Sequence, residues 1–572
     1  MHTKTSRRTF VKGLTAGAIL GGLGLWRAPV WAVTGPGQPN VLSGTEFDLF
    51  IGESPVNFTG NPRTAQTING GIPGPLLRWR EGDTVTLRVR NRLKDTTSIH
   101  WHGILLPANM DGVPGLSFKG IEPDGMYVYQ FKVRQNGTYW YHSHSGFQEQ
   151  SGVYGPLVID AREPEPFQYE RDYVVMLTDW TDEDPGDIIR KLKKQSDYYN
   201  YHKRTVGDFI DDVSKNGWAA TVADRKMWAE MKMNPTDLAD VSGATYTYLM
   251  NGQAPDMNWT GLFKPGERLR LRFINGSAMS YFDVRIPGLK MTVVASDGQY
   301  VKPVSVDEFR IAVAETYDVI VEPTQEAYTL FAQSMDRTGY ARGTLATRAG
   351  LSAPVPALDP RPLVTMDDMG MGGMDHGSMQ GMDDMAGMDH GAMQGMDGML
   401  SHPDTEKDNP LVDMQAMSVK PKLDDPGMGL RDNGRKVLTY SDLRSTFPDP
   451  DGREPGRTIE LHLTGHMEKF VWSFNGVKFS DAAPLLLKYG ERLRIVLIND
   501  TMMTHPIHLH GMWSDLEDEN GQFMVRKHTI DVPPGAKRSY RVTADALGRW
   551  AYHCHLLFHM EMGMFREVRV QE

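Results

Sequence analysis

The sequence predicts an all-β protein made of three copies of one β-sandwich, and three observations lead to that prediction. One pattern recurs: a Gly followed by an acid, apolar residues at alternating positions, and an Asn nine residues after the Gly. An Asn-Gly pair precedes each copy. The alternation has the period of two that is typical of a strand with one buried face. The copies run from Gly82 to Asn91, from Gly266 to Asn275 and from Gly490 to Asn499, after Asn69-Gly70, Asn251-Gly252 and Asn475-Gly476.

The length and charge of the chain limit the classes of protein to consider. At about 150 residues per domain, 572 residues correspond to roughly three or four domains. With 61 Lys and Arg against 72 Asp and Glu, the net charge is −11, which argues against a nucleic-acid partner. The single Cys excludes an intramolecular disulfide and any zinc site built on two cysteines. Most of the sulfur is therefore thioether, in 34 Met residues.

The N-terminus predicts export. Arg7-Arg8 precedes an apolar run that ends at Trp26, and Ala32 closes a small-residue cleavage site. This arrangement resembles a twin-arginine signal peptide over residues 1–32, which implies passage through the twin-arginine export machinery to the periplasm. An N-terminal membrane anchor is the alternative. The apolar run is shorter than the ~20 residues of a span, so we expect no stable anchor.

Composition divides the remaining chain into segments. Apolar residues near helical spacing, such as Ile188, Ile189 and Leu192, predict a helical insertion at about 186–240 within the second sandwich. Between about 346 and 430 the chain is rich in Met, Gly, Asp and Pro and almost free of aromatic residues, which predicts a disordered Met-rich linker. We therefore expect domain 1 at 41–165, domain 2 at 166–345, the linker at 346–430 and domain 3 at 431–572.

Ten of the 18 histidines fall in four short motifs. On a strand, both histidines of a His-x-His pair lie on one face because side chains alternate with a period of two. Each pair therefore offers two imidazole nitrogens in one direction. The motifs are His100-Trp101-His102, His142-Ser143-His144, His505-Pro506-Ile507-His508-Leu509-His510, and His553-Cys554-His555 followed by His559 and Met564.

The repeat aligns these motifs between domains. Nine and eleven residues after the closing Asn, the first and third copies have histidine, whereas the second has Val284 and Ile286. Two domains related by an approximate twofold axis would enclose eight imidazoles at their interface, more than a tetrahedral zinc site can use. This arrangement suits a metal cluster. The aligned pairs are His100 and His102 with His508 and His510, and His142 and His144 with His553 and His555.

Cys554 predicts a second kind of metal site. A thiolate, two imidazoles and a weak axial thioether define a blue-copper electron-transfer centre. Domain 1 has Ser143 at the position of Cys554, so only domain 3 can form this centre. His553 and His555 flank the thiol, and we therefore expect Cys554 to pass electrons from one site to the other. The residues that supply the centre are His505, Cys554, His559 and Met564.

The four motifs resemble the copper-binding signatures of the three-domain multicopper oxidases, over essentially the whole mature chain. The resemblance implies three cupredoxin-like Greek-key sandwiches, four copper ions per chain as cofactor, and four-electron reduction of O2 to water. It assigns the type 1 copper to the set that contains Cys554. Carried over by position, it implies the type 2 copper at His100 and His508, one type 3 copper at His102, His142 and His555, and the other at His144, His510 and His553.

Two acids are candidates for proton delivery through the same resemblance. Asp111 lies in the turn after the first motif, where relatives keep an acid near the type 2 copper. Some relatives place an acid directly after the last type 1 histidine, whereas here Met560 takes that position and Glu561 follows it. The predicted catalytic residues are Cys554, Asp111 and Glu561.

The linker indicates the electron donor. A repeat that begins Gly-Met-Asp-His occurs twice in it, and eleven Met lie between Met366 and Met399. Thioethers are soft ligands that favour Cu(I), and the interspersed Asp residues would concentrate cations. A tether with no metal role is the alternative. The candidate Cu(I) ligands are Met374, His376, Met379, Met388, His390 and Met393 in the linker, with Met503 and Asp500 near the type 1 site.

Within the family, the chain is most similar to the periplasmic copper-resistance oxidases of bacteria. That similarity implies oxidation of Cu(I) by O2, with phenols as a further candidate substrate. We expect a monomer that works with other periplasmic copper-resistance proteins. Two alternatives stay open at this stage: a laccase-type phenol oxidase, and a copper storage or delivery protein without turnover.

Overall fold

A computed structural model describes residues 40–372 and 400–572 of the chain. In these two ranges the strands form six sheets, two in each of three sandwiches, so the predicted all-β fold class is confirmed. The export signal predicted at 1–32 lies outside the described residues. So do the linker candidates Met374, His376, Met379, Met388, His390 and Met393.

The first sandwich contains nine of the described strands. They are β1 (Val41–Ser43), β2 (Glu46–Val56), β3 (Arg63–Ile68), β4 (Leu76–Arg80), β5 (Thr84–Asn91), β6 (His100–His102), β7 (Met126–Lys132), β8 (Gly137–His142) and β9 (Tyr154–Asp160). One sheet has the order β1-β4-β9-β8-β6 and the other β3-β2-β5-β7. The two histidine-bearing strands, β6 and β8, are therefore neighbours.

The second sandwich has the same plan, with more strands in total. Its strands are β10 (Arg171–Thr181), β11 (Tyr246–Met250), β12 (Trp259–Leu262), β13 (Leu269–Asn275), β14 (Phe282–Arg285), β15 (Met291–Ser296), β16 (Gln299–Val306), β17 (Glu308–Ile311), β18 (Thr316–Val321), β19 (Ala327–Ser334) and β20 (Tyr340–Ala346). They pair in the orders β11-β10-β13-β18-β15-β16 and β12-β20-β19-β14-β17.

The helical insertion lies where the sequence predicts it, between β10 and β11. Its helices are α1 (Pro185–Lys194), α2 (Val206–Asn216) and α3 (Trp218–Glu230). Asp184 caps α1 by accepting from the amides of Gly186 and Asp187, and α1 buries the apolar face that gives the helical spacing. Within the described ranges, no helix combines the length and hydropathy of a membrane span.

The third sandwich ends the chain. Its strands are β21 (Thr458–His466), β22 (Val471–Phe474), β23 (Leu485–Lys488), β24 (Arg492–Asn499), β25 (His505–Leu509), β26 (Ser514–Glu517), β27 (Phe523–Lys527), β28 (Thr529–Val532), β29 (Lys537–Thr543), β30 (Gly548–Cys554) and β31 (Phe565–Gln571), with helix α4 (Leu557–Glu561). The sheet orders are β22-β21-β24-β29-β26-β27 and β23-β31-β30-β25-β28.

The repeated Asn at the end of β5, β13 and β24 has one structural role in all three sandwiches. Each is fully buried, and its side-chain amide donates to one backbone carbonyl in the loop that follows and to a second one further along the chain, that of Ile121, Ile311 or Val532. A buried amide with both bonds satisfied holds those loops in a fixed place. The repeat therefore specifies where the next strand begins. In the first and third sandwiches that strand carries the histidine motif.

The two strands that carry the histidine motifs in the first and third sandwiches, and their counterparts in the second, pair in the same register. His100 pairs with His142 across β6 and β8, and His508 pairs with His553 across β25 and β30. In the second sandwich the equivalent pair across β14 and β19 is Val284 with Ala332. The alignment made from the spacing after each Asn is thus reproduced by the strand pairing.

The flanks of the linker differ from the expectation of disorder. Residues 346–372 and 400–430 are described and pack on the sandwiches, with Met369, Met414 and Met428 buried. The amides of Met417 and Ser418 both donate to the carbonyl of Gly370, which ties the two flanks together. The flanks use the second and third sandwiches as partners for their few apolar residues, and a composition average over the segment does not register those contacts.

Candidate metal centres

The structure brings eight imidazoles together between the first and third sandwiches. The Nε2 atoms of His144 and His553 lie 3.3 Å apart, and those of His142 and His555 lie 3.4 Å apart. The rings of His100 and His510 stack with their centroids 3.9 Å apart. All eight are buried except His144, which is partly exposed. Because side chains alternate along a strand with a period of two, His100 and His102 share the face at this interface. Trp101 between them packs into the core against Trp79 instead.

Backbone and carboxylate acceptors fix the tautomers of these rings. The Nδ1 atoms of His100, His508 and His553 lie 2.8, 2.6 and 2.9 Å from the carbonyl oxygens of Asp111, His528 and Cys554. A nitrogen that faces a carbonyl carries the proton, so each Nε2 presents its lone pair to the cluster.

The donor set fits metal ions. The Nε2 atoms of His100 and His508 are buried and have no hydrogen-bond partner among the described residues. The Nε2 atoms of His510 and His553 lie 3.0 Å apart, lone pair towards lone pair, which is repulsive unless a cation lies between them. Burial lowers the pKa of His553 to about 3, so protonation is not an easy alternative.

Several rings that the family resemblance assigns to the same copper ion lie close to one another. His144, His510 and His553 have ligand atoms within 4.8 Å of one another, as one type 3 set requires. His100 and His508 occur together in another group, with His510. His142 faces His555, as the second type 3 set requires. His102 turns its Nε2 to Nδ1 of His528, 3.1 Å away, and leaves its buried Nδ1 without a partner in the described ranges.

Asp111 contacts two of these rings. Its buried carboxylate lies 3.3 Å from Nδ1 of His100 through Oδ1 and accepts from Nδ1 of His510, 2.9 Å away, through Oδ2. The candidate acid therefore bridges a ring from each sandwich. Glu561, by contrast, is exposed at the end of α4.

Sequence reasoning missed two residues at the cluster. Glu149 is buried with its Oε2 2.6 Å from Nδ1 of His142, and burial raises the pKa of its carboxyl well above the usual range. His528 lies beside His102 and His508, with which it forms a group of possible ligands. Neither residue belongs to a His-x-His pair, so the motif that marks the other rings does not mark them.

The second centre lies in the third sandwich around Cys554. Its Sγ is 3.5 Å from Nδ1 of His505 and 3.9 Å from Nδ1 of His559, and these two nitrogens are 3.2 Å apart. Met564 is fully buried beside them, with its carbonyl accepting from the amide of Cys554. Burial raises the pKa of the thiol well above its usual range, so the thiolate needs a cation as partner. The set matches the blue-copper donors.

Contacts outside the donor set orient its two imidazoles. Nε2 of His505 lies 2.8 Å from the hydroxyl of Thr501, and Nε2 of His559 lies 2.7 Å from Oδ2 of Asp240. Both contacts leave Nδ1 free to face Cys554. Asp240 is fully buried and lies between α3 and β11, in the segment inserted into the second sandwich. That sandwich has no His-x-His pair, so nothing in the repeat points to its contribution.

A small cavity adjoins this centre. Asp240, Met279, Met335, Asp336 and Met503 are among the residues that line it. Two acidic residues and three methionines thus line one cavity, and one of the acids, Asp240, holds His559.

Asp500 is not among the residues that line this cavity. Its carboxylate instead contacts His462 and the amide of Ala416. The two substrate candidates near the type 1 site, Met503 and Asp500, therefore have different surroundings.

Comparison with known proteins gives consistent results over the whole chain. Family profiles described as Multicopper oxidase match residues 51–164, 171–350 and 452–572. A Copper resistance protein A homolog of Pseudomonas syringae pv. tomato is 80% identical, with 100% of both chains covered. Copper resistance protein A of Escherichia coli is 74% identical, again with 100% of both covered.

A solved structure supports the fold. The multicopper oxidase Fet3p, described as functioning in iron import, superposes with a TM-score of 0.63 at 18% sequence identity. The superposition covers 93% of this chain and 91% of that one.

Proposed function

The chain belongs to the multicopper oxidase family, and on that premise we propose that it is a periplasmic copper-resistance oxidase that oxidises Cu(I) with O2 as the acceptor. The names of the relatives, Copper resistance protein A, support the physiological role. The twin-arginine sequence at Arg7-Arg8 supports export to the periplasm. We further propose that the protein acts as a monomer.

The cavity beside His559 carries the proposal for the substrate. Its thioethers, from Met279, Met335 and Met503, are soft donors that prefer Cu(I) to hard divalent ions. Asp240 lines the same cavity and accepts from His559 Nε2, which gives an ion held there a short covalent and hydrogen-bonded route to the Cys554 centre. A carboxylate also favours the cuprous ion electrostatically.

The copper ligands are proposed as the resemblance implies them. The type 1 ion would be held by His505, Cys554, His559 and Met564, the type 2 ion by His100 and His508, and the type 3 pair by His102, His142, His144, His510, His553 and His555. The buried, unpartnered nitrogens described above support these sets. When bound, copper supplies one-electron acceptance from the substrate and four-electron reduction of O2 to water.

Water formation consumes protons, and two buried carboxyl groups are positioned to hold them. Asp111 bridges His100 and His510, and its Oδ1 makes no hydrogen bond within the described part of the chain. Glu149 holds the Nδ1 proton of His142. We propose that Asp111 takes up protons on the side of His100 and that Glu149 positions His142. Glu561, which is exposed, has no such contact with any residue that the structure describes.

The test is oxygen uptake by the copper-loaded protein with Cu(I) as the only reductant. We expect sustained uptake at about one O2 per four Cu(I), because four electrons reduce one O2 to water. Absence of uptake would contradict the proposal and favour a storage or delivery protein. Uptake with a phenol but not with Cu(I) would favour a laccase-type enzyme.

A second comparison tests the Met-rich repeat without disturbing the packed flanks. Replacing the eight Met of residues 373–399 by Leu keeps length and apolarity but removes the thioethers. We expect a lower rate at limiting Cu(I) and an unchanged rate with a phenol. A loss on both substrates would mean that the repeat affects the enzyme in general, and unchanged rates on both would mean that it is a tether.

A further inference from the structure

Four ionisable side chains outside both copper centres converge behind the loop that carries His505. We propose that they bind one divalent copper ion, at a site distinct from the four-copper set. The residues are His402 and Glu406 from the flank that follows the Met-rich repeat, His462 from β21, and Asp500 directly after β24.

The spacing of their donor atoms suits one metal ion. Oδ2 of Asp500 lies 2.6 Å from Nδ1 of His462 and 3.4 Å from Nδ1 of His402. Glu406 lies 3.3 Å from Nδ1 of His402 through Oε2 and 3.8 Å from Nδ1 of His462 through Oε1. Donors bonded at about 2.0–2.2 Å in a four-coordinate complex are roughly 3–3.5 Å apart. The observed distances bracket that range.

Contacts around the cluster turn its donors inward. Nε2 of His402 lies 3.0 Å from the carbonyl of Ala416 and donates to it, so a neutral His402 points the lone pair of Nδ1 at two carboxylates. Nδ1 of His402 makes no hydrogen bond within the described residues, and neither does Oε1 of the buried Glu406. The amide of Ala416 holds the other oxygen of Asp500, 2.9 Å away. Acceptors that face acceptors in a buried site need a cation, either a proton or a metal ion.

The three sandwiches show that the fold does not require this cluster. The repeated Asn of the Asn-Gly turn accepts from the amides of Phe50, Met176 and His462 at equivalent positions. The residue after the closing Asn packs against the residue whose amide is held in this way. It is Arg92 in the first sandwich, Gly276 in the second and Asp500 in the third. In the first sandwich Arg92 lies over the ring of Phe50 at 3.9 Å.

In the second sandwich a side chain at the position of Asp500 would require the Met176 side chain to move. A Cβ on Gly276 would lie 2.3 Å from Cε of Met176. Only the third copy therefore has an imidazole and a carboxylate at this pair of positions. Burying such a pair costs free energy that an apolar pair would not. A cation bound to the pair would offset this free-energy cost.

The donor set selects the ion. Two imidazoles and two carboxylates without a thioether are harder than the Met-rich cavity and suit a divalent transition ion rather than Cu(I). Two carboxylates also neutralise two positive charges. Among divalent ions, Cu(II) binds N and O donors more tightly than Zn(II). The site would hold Cu(II) whether or not the enzyme produces it from Cu(I), so it does not depend on the proposed substrate.

The site adjoins the type 1 loop. Asp500 is followed by Thr501, whose hydroxyl holds His505. His402 comes three residues after Met399, the last Met of the repeat. An ion bound here would therefore link the end of the Met-rich repeat to the loop of the type 1 centre.

The test is a Cu(II) titration of the full-length protein that already holds its four coppers. Copper per chain is measured by elemental analysis after equilibrium dialysis, and the added ion by electron paramagnetic resonance. We expect one additional Cu(II) per chain, with an axial, non-blue spectrum that shows nitrogen coupling. His402→Gln and Glu406→Gln should each weaken its binding by about 10–100-fold. His202→Gln, at an exposed histidine of the insertion, is the matched control and should bind as the unmodified chain does.

Folding is checked separately, by the blue absorption and the melting temperature of each variant. Glu406→Gln retains the shape of the side chain and therefore serves where His402→Gln lowers the melting temperature. Equal Cu(II) binding by the unmodified chain and both variants would overturn the proposal. Binding of Zn(II) in preference to Cu(II) would overturn the assignment of the ion. A failure of Cu(I) oxidation with this binding intact would count against the proposed function alone.

Discussion

The second sandwich and its two neighbours share a fold but not a chemistry. Val284 pairs with Ala332 in the register in which His100 pairs with His142 and His508 with His553. The buried Asn that fixes the loops is the same in all three. The repeat therefore determines where a side chain points, whereas the residue at that position determines whether the strand can bind metal.

The first and third sandwiches differ at the residue between the two histidines of one equivalent strand. Both have two histidines on the equivalent strand, but Ser143 lies where the third sandwich has Cys554. Ser143 donates to Gln148 at 2.9 Å, an ordinary structural hydrogen bond. Cys554 instead faces two imidazoles.

Cys554→Ser makes the third sandwich like the first at this position and should have the largest effect. We expect complete loss of the intense visible absorption and of oxidase activity, because the hydroxyl is not a thiolate ligand. The fold should survive, since the side chains have similar size. Visible spectra, oxygen uptake and the melting temperature measure these effects. The matched change Ser143→Ala should leave colour and activity in place, and retention of colour in Cys554→Ser would refute the ligand assignment.

Asp240→Asn tests what the second sandwich contributes. The amide oxygen can still accept from His559 Nε2, but the negative charge that faces the cavity is lost. We expect the rate of Cu(I) oxidation to fall by about 10–100-fold while the blue absorption remains.

Asp237→Asn is the control for this prediction. Asp237 is buried like Asp240 but is not among the residues that line the cavity. Its amide variant should therefore react with Cu(I) at the normal rate. Equal rates for Asp240→Asn and Asp237→Asn would remove Asp240 from the electron-entry route.

Much of the fold and the histidine rings could be predicted from the sequence because both depend on local periodicity. Alternation with a period of two defines a strand face, and the spacing from Asn91 to His100 recurs from Asn499 to His508. Such signals survive in one sequence without any structure. The helices of the insertion were predictable for the same reason, since Ile188, Ile189 and Leu192 share one face.

The rest depends on contacts between distant segments, which no local pattern records. Asp240 meets His559 across 319 residues, and His402 and Ala416 meet Asp500 from the linker flank. The composition of the flanks predicts disorder, yet they bury Met369 and Met414 on surfaces that the sandwiches supply. Partners of this kind become visible only when the chain is assembled.

Cu(II) binding at the proposed site, which only the third sandwich has, should depend on pH. The carboxylate of Asp500 raises the pKa of His402 to about 9, with Glu406 and His462 as the other ionisable neighbours. Below that pH a metal ion must displace the proton of His402. The affinity should therefore rise with pH, by about tenfold per unit for one displaced proton.

The measurement is the dissociation constant for Cu(II) between about pH 6 and about pH 8, with a competing chelator as reference. We expect binding to tighten by about 100-fold or more over this range. His402→Gln removes the group and should flatten the profile. An affinity that is independent of pH in the unmodified chain would mean that His402 is not displaced and does not bind the ion.

The smallest expected effect on copper content comes from giving the second sandwich the missing histidines. Val284→His with Ala332→His recreates the cross-strand pair of β6 and β8 in the same register. Both positions are fully buried, so the larger polar rings should lower the free energy of unfolding by about 1–3 kcal/mol each. Copper per chain should not change, because the cluster needs rings from two sandwiches that face each other, as His144 faces His553. Val284→Leu controls for size. A gain of bound copper in the double variant would show that strand register alone builds a site. The contact between the first and third sandwiches would then not be required for copper binding.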